Sequence, residues 1–114
     1  MRVLALVLLL FPFTAFANEA LWAQLEAGGQ VILIRHTITT PGAGDPPGMR
    51  LDDCGTQRNL TEEGRAHARR IGEEFRRRKI PVERVLSSPW CRCLETARLA
   101  FAKAEVSTAL DNLD

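Results

Sequence analysis

The chain has 114 residues, of which 25% are charged and 46% are hydrophobic, a balance typical of one globular domain. Lys and Arg number 15 against 14 Asp and Glu, so the formal net charge is only +1. Proteins dedicated to nucleic-acid binding usually carry a large basic excess, so no nucleic-acid partner is expected. The composition also excludes collagen, a coiled coil and a membrane protein with several spans.

The first 17 residues are predicted to be a cleavable signal peptide. Arg2 provides a positive start, Val3 to Phe16 is almost wholly apolar, and Ala15-Phe16-Ala17 has the A-x-A pattern of a signal-peptidase site. The apolar run is shorter than the roughly 20 residues that a spanning helix needs, so an uncleaved anchor is the less favoured alternative. The expected mature protein is residues 18–114, secreted or periplasmic and without a stable membrane anchor.

The first half of the mature chain is predicted to contain a helix, a strand and a long loop. The helix covers about Glu19 to Ala27 and ends at Gly28-Gly29. Val31 to Ile34 is an uninterrupted apolar run, as in a parallel strand that is buried on both faces. Thr37 to Gln57 lacks periodicity and is expected to be a functional loop, a lid or a flexible segment. Three aspartates of this loop match no calcium-loop spacing and are expected to cap turns: Asp45, Asp52 and Asp53.

The second half is predicted to contain two helices and two strands. The first helix covers about Thr61 to Lys79, with Thr61 as N-cap and a solvated arginine face opposite its apolar stripe. Val82 to Leu86 is the next predicted strand, and Ser88 is expected to cap a helix that runs to about Lys103. A third strand is predicted within Glu105 to Leu110. This alternation predicts an α/β fold with a parallel sheet of about three strands.

Two motifs carry the chemical signal. Arg35-His36 ends the first predicted strand, and Ser87-Ser88-Pro89-Trp90-Cys91-Arg92-Cys93-Leu94-Glu95-Thr96-Ala97 follows the second. Because the carboxyl ends of parallel strands share one edge of the sheet, we expect Arg35 and Arg92 to converge there.

These motifs resemble those of the histidine phosphatase superfamily, whose members carry an Arg-His pair and an S-S-P-x-x-R-x-x-x-T-A sequence. Leu60 to Gly64 is similar to the L-T-x-x-G helix start of the same family. The resemblance covers about residues 31–101. It implies a three-layer sandwich around a parallel sheet, here incomplete, and an exported phosphomonoester hydrolase that forms a phosphohistidine.

By this resemblance His36 is the nucleophile, and Arg35 and Arg92 hold the phosphoryl oxygens. The physics agrees, because guanidinium groups bind pairs of oxygens without losing their charge and a neutral imidazole attacks phosphorus in line. Ser88 is expected to bind substrate beside a helix start, and Thr96 to bind it or steady Arg92. Neither a metal nor a cofactor is expected. The substrate class stays open between a phosphorylated small molecule, an envelope component and a phosphoprotein, and no oligomeric state is assigned.

The chain also departs from the family pattern. Members carry a second histidine late in the domain and an acid that protonates the leaving oxygen, whereas no histidine follows Arg92 here. His67 is interpreted as a helix-flank residue without a catalytic role. Thr37-Ile38 stands where many members have glycine, which favours a phosphatase over a mutase. We therefore expect residues 18–114 to form an N-terminal portion of the domain, with a non-catalytic phosphate-binding module or fragment as the alternative. The acidic residues that follow Arg92 have no spacing that would identify the proton donor: Glu95, Glu105, Asp111 and Asp114.

The three cysteines are interpreted as one disulfide and one thiol. Cys91 and Cys93 point in different directions on a helix, so they do not readily bridge each other. Cys54 is expected to pair with either of them and tie the long loop to the helix of Arg92. Three free, buried thiols are the alternative. A zinc site is not expected, because no histidine accompanies the cysteines.

Overall fold

The computed structural model describes residues 16–111. The predicted signal peptide therefore lies almost entirely outside the described residues, as does Asp114. Phe16 and Ala17, the last two residues of that peptide, belong to the first helix. Within the described span, no helix combines the length and the hydropathy needed to cross a membrane.

Within residues 16–111, three α-helices account for most of the regular structure. They are α1 (Phe16–Glu26), α2 (Glu62–Arg77) and α3 (Cys91–Phe101). The prediction for α2 is confirmed in detail, because the Thr61 hydroxyl accepts a hydrogen bond of 3.0 Å from the Gly64 amide and caps the helix. Acidic residues occupy its first turn and arginines its last, which complements the helix dipole.

The core lies where α2 packs against α3. Gly72 of α2 sits so close to α3 that a Cβ atom there would lie 1.9 Å from the carbonyl oxygen of Ala100. Beside this contact the Phe75 ring meets the Phe101 ring edge to face, with 5.1 Å between their centres. Trp22 of α1 adds a second edge-to-face contact with Phe75, at 6.4 Å. The small residue lets the two helix backbones approach, and the aromatic rings fill the space around them.

The sheet is smaller than predicted. β1 (Leu86–Ser87) and β2 (Glu105–Val106) form a parallel pair, connected through α3, in which Leu86 lies opposite Glu105. A single 3₁₀ turn, Thr108–Leu110, follows β2 where the sequence predicted more strand. The α/β class with parallel strands is confirmed, but the three-layer sandwich with about three strands is not seen in the described residues.

The predicted strand at residues 31–34 is wrong for the structure described here. These residues join no strand ladder, and the exposed fractions of Val31 and Leu33 are 91% and 79%. A strand is stable only when its backbone amides and carbonyls pair with a neighbour, and within residues 16–111 nothing pairs with this segment. Among the described residues, the apolar side chains of this segment therefore have no neighbouring strand that would bury them.

The start of α3 also differs from the prediction. The helix begins at Cys91, and its N-cap is Trp90, which makes no side-chain capping bond. Ser88 is therefore not the cap. It is buried between β1 and α3, and its carbonyl accepts a 2.9 Å hydrogen bond from the Ser87 hydroxyl. The extended Trp90 backbone delays the helix by two residues relative to the Ser-Pro signal.

We predict that Gly72→Ala destabilises the protein by about 1–3 kcal/mol, because the new methyl group would overlap the α3 backbone. The same change in an exposed helix normally stabilises by about 1 kcal/mol, so the sign tests the contact. Urea denaturation would measure the free energy of unfolding, with the exposed neighbour variant Glu73→Ala as control. A Gly72→Ala protein as stable as the wild type would contradict the packing.

Candidate functional site

The histidine segment is held by a buried threonine. The Thr37 hydroxyl donates a 2.8 Å hydrogen bond to the Gly64 carbonyl, and the Thr37 amide donates to the Thr96 hydroxyl at 3.2 Å. Both threonines are buried, with exposed fractions of 7% and 6%. Residue 37 thus joins α2 to α3 and fixes the backbone directly after His36.

The first turn of α2 presses on the same segment. The Thr61 amide donates a 3.0 Å hydrogen bond to the Ile38 carbonyl. A Cβ atom at Gly64 would lie only 2.1 Å from that carbonyl oxygen, so glycine is required for the close approach. The L-T-x-x-G run therefore acts through packing, because its threonine caps the helix and its glycine admits the histidine segment.

A cleft of about 420 Å³ opens beside this segment. Two predicted site residues, Arg35 and His36, line it together. Arg58 and His67 line it as well, although the sequence analysis gave Arg58 no role and placed His67 on a helix flank. The closeness of Arg58 to Leu60-Thr61 is the only sequence signal that could have indicated it. The remaining lining residues are Thr37, Ile38 and Thr39.

The hydrogen bonding of His36 fixes its tautomer. The Nδ1 atom lies 2.8 Å from the Thr37 carbonyl oxygen. A carbonyl only accepts hydrogen bonds, so Nδ1 carries the hydrogen. In the neutral ring the lone pair then resides on Nε2, which is the atom that can act as a nucleophile.

The surroundings keep this imidazole neutral. Burial is the largest cause, and it lowers the pKa of His36 below its ordinary value, since a charged ring is poorly solvated there. The Thr37 hydrogen bond opposes this by favouring the protonated ring. Positive charges lower the pKa further, and they belong to Arg92, Arg35 and Arg58.

Arg92 is held beside the site by the carboxylate of Asp45, so the turn-capping role predicted for that aspartate is wrong. Its Nη1 lies 3.0 Å from each carboxylate oxygen of Asp45, and the two side chains are 13% and 11% exposed. The guanidinium also lies over the Trp90 ring, 4.7 Å from its centre. Arg92 is therefore ordered and nearly buried instead of facing solvent, but it is not among the residues that line the cleft.

The long loop is fastened to the start of α3. Of the two predicted pairings, Cys54 bonds Cys91, and Cys93 is a half-buried free thiol. The Gln57 side-chain oxygen accepts a 2.9 Å hydrogen bond from the Cys91 amide. Next to it, the Arg58 amide donates to Asp45 Oδ1 at 2.8 Å. The loop thus brings Asp45 and the adjoining Arg58 to the N-terminal end of α3, the helix that carries Arg92.

Two other residues singled out in the sequence, Thr96 and Asp53, have structural roles. Thr96 donates a 2.8 Å hydrogen bond to the Arg92 carbonyl, one turn before it, and meets Thr37 on its other side. Asp53 caps a 3₁₀ turn through the Gly55 amide, as predicted for a loop aspartate. Between residues 16 and 111, no three side chains of His, Cys, Asp or Glu come together in a way that would hold a metal ion.

Comparison with known protein families agrees with the site. The chain matches the profile of the histidine phosphatase superfamily (branch 1) over residues 31–113, which is well over half of its length. The chain therefore belongs to the histidine phosphatase superfamily, a family of phosphatases and mutases. No curated protein and no solved structure matched the chain.

We predict that the His36 imidazole titrates below the ordinary histidine pKa of about 6.5, and that Arg35→Gln raises this pKa. Arg35 is exposed, so its replacement removes a positive charge near the ring with little change in packing. NMR observation of the imidazole protons against pH would measure both effects. Arg69→Gln, an exposed change on α2, is the control, and an unchanged pKa in Arg35→Gln would refute the electrostatic coupling.

We predict that replacing both bridging cysteines, Cys54→Ser with Cys91→Ser, lowers the free energy of unfolding by about 3–4 kcal/mol. The bridge closes a sequence separation of 37 residues, and chain entropy sets that magnitude. Cys93→Ser, which removes the free thiol, is the matched control. Denaturant unfolding of the wild type, the double variant and the control makes the comparison. Equal stability of the double variant and the control would contradict a stabilising role for the disulfide.

Proposed function

We propose that this protein is an exported phosphomonoester hydrolase that works through a phosphohistidine at His36. Membership of the superfamily supports phosphatase-type chemistry at the general level. The observation that carries the specific proposal is the state of His36, whose Nδ1 hydrogen faces a carbonyl while its ring lines an arginine-rich cleft. A neutral Nε2 beside guanidinium groups is what in-line phosphoryl transfer requires.

The proposed reaction has two displacements. First, the Nε2 lone pair attacks phosphorus, an N–P bond forms, and the ester P–O bond breaks with release of the alcohol after it gains a proton. Then water attacks the phosphohistidine, the N–P bond breaks, and inorganic phosphate leaves while Nε2 recovers its lone pair. The oxidation state of phosphorus does not change, so neither a redox cofactor nor an oxidant enters the balance.

Arg35 and Arg92 are proposed to stabilise the charge on the transferring oxygens. The positive charges of both arginines lower the pKa of His36, and Arg35 lines the cleft beside it, which supports this role. Thr96 supports them as a positioning residue, because its hydroxyl connects the Arg92 backbone to the Thr37 amide. Ser88, which is buried just before α3, is proposed to help bind the phosphate group beside the start of that helix.

The substrate is proposed to be a phosphorylated small molecule, an envelope component or a phosphoprotein met after export. The apolar segment ending in Ala15-Phe16-Ala17 supports export. The Cys54–Cys91 disulfide supports it independently, because such bonds persist in oxidising compartments.

A phosphate-binding module without turnover is the second candidate. The pairing of Arg92 with Asp45 favours it, because the carboxylate already engages Nη1 of Arg92, which the hydrolase mechanism needs for stabilising the transferring oxygens. Turnover separates the two candidates.

We predict that brief exposure to a labelled phosphodonor, followed by an alkaline quench, leaves an alkali-stable label on the protein and that His36→Ala abolishes it. The label survives alkali because phosphohistidine, unlike phosphoserine, is stable there. Arg35→Gln should lower the labelling rate by about a hundredfold, the usual scale for loss of one charge-stabilising donor.

Arg69→Gln is the matched control for the arginine change, because Arg69 is exposed on α2 and lies outside the cleft. Near-UV circular dichroism would confirm that each variant is folded. A label that persists in folded His36→Ala would refute the nucleophile. Phosphate binding without label in the folded wild type would favour the binding module.

A further inference from the structure

The half-buried guanidinium of Arg58 is anchored but forms no ion pair with any carboxylate of residues 16–111. Its Nη1 donates a 3.0 Å hydrogen bond to the Gly42 carbonyl, and its backbone amide is held by Asp45. Its Nε is buried and has no acceptor among the described residues. Unsatisfied buried donors of a charged group are costly, so a native protein rarely keeps one without a use.

Arg92 also has a buried Nε without a partner among the described residues, but its guanidinium is paired with Asp45, and other arginines of the described chain contrast with Arg58 more strongly. Arg65, for example, is paired with Glu95 at 2.6 Å, and Arg84 with Glu105 at 2.8 Å. Arginines without an acidic partner, such as Arg69 and Arg70, are exposed to water instead. Arg58 is neither neutralised nor fully solvated, and it lines the cleft of His36.

The charges around the cleft define the ligand that fits. Among the described residues no acidic side chain lines it, whereas Arg35 and Arg58 both do. Arg92 and Asp45 neutralise each other as an ion pair at 3.0 Å. Arg35 and Arg58 therefore supply the two charges at this cleft that no carboxylate of the described residues pairs with, in addition to the paired Arg92. A phosphomonoester carries close to two negative charges above its second pKa of about 6, whereas a phosphodiester carries one.

We propose that Arg58 is a third phosphate-binding residue, which makes the cleft selective for the dianion of a phosphomonoester over the monoanion of a phosphodiester. The inference rests on the proposed function and adds a residue and a specificity to it. Arg58 follows the disulfide-fastened loop and is tied to it through the Gly42 carbonyl, and it lines the same cleft as Arg35. Its charge also contributes to the lowered pKa of His36, which agrees with a position near the nucleophile.

The test is a ³¹P NMR titration of the protein at pH about 8 with inorganic phosphate, the dianion, and with dimethyl phosphate, the monoanion. We expect the wild type to bind phosphate more tightly. Arg58→Gln should weaken phosphate binding by about tenfold or more and dimethyl phosphate binding by clearly less, because Coulomb attraction scales with ligand charge. Arg69→Gln, exposed and outside the cleft, should match the wild type.

Two results would overturn the inference. One is a folded Arg58→Gln protein that binds phosphate within about twofold of the wild type, well below the cost of losing a charged hydrogen bond. The other needs no variant, and so holds even if Arg58→Gln does not fold: equal affinity of the wild type for the two ligands. Phosphohistidine trapping on the same samples separates this failure from that of the proposed function. If the wild type is labelled and Arg58→Gln binds phosphate as well as the wild type, only the role of Arg58 is refuted. If phosphate binding depends on Arg58 but no phosphohistidine label forms, only the proposed hydrolase activity is refuted.

Discussion

The site depends on the buried contact between Thr37 and Thr96. In the described structure the segment before His36 has no strand ladder to hold it, so the position of the histidine comes from side chains. The Thr37 hydroxyl and amide connect that segment to the Gly64 carbonyl and the Thr96 hydroxyl, all in a place with little water. Hydrogen bonds there are strong because the groups have no good alternative partner. One residue thus fixes the position of His36 relative to both helices.

The loop of residues 37–57 is structural rather than merely flexible. A disulfide, the Gln57 side chain and the Asp45 carboxylate attach it to α3 at separate points. Because Asp45 binds both the Arg58 amide and the Arg92 guanidinium, a shift of the loop would move two cations together. Asp45 therefore couples the loop geometry to the charge around His36.

Local sequence signals predicted the parts of the structure that depend on local contacts. The cap, charge order and apolar stripe of α2 are all within one helix, and α2 forms as expected. The disulfide could be narrowed only to Cys91 or Cys93, since both follow the same strand end. The roles of Asp45 and Arg58 arise from how a loop without periodicity folds back, which no spacing encodes. Residues 31–34 failed as a strand because ladder hydrogen bonds need a neighbouring strand as well as an apolar pattern.

The same positive charges serve two purposes in this site. In the proposed function they attract the phosphate to the cleft, and they disfavour protonation of His36, which preserves the lone pair on Nε2. More cations would strengthen both effects but would also repel one another in the free protein. Pairing Arg92 with Asp45 relieves that repulsion while leaving Arg35 and Arg58 at the cleft. The carboxylate is therefore part of the electrostatic design of the site, because it sets the charge that remains to be matched by a ligand.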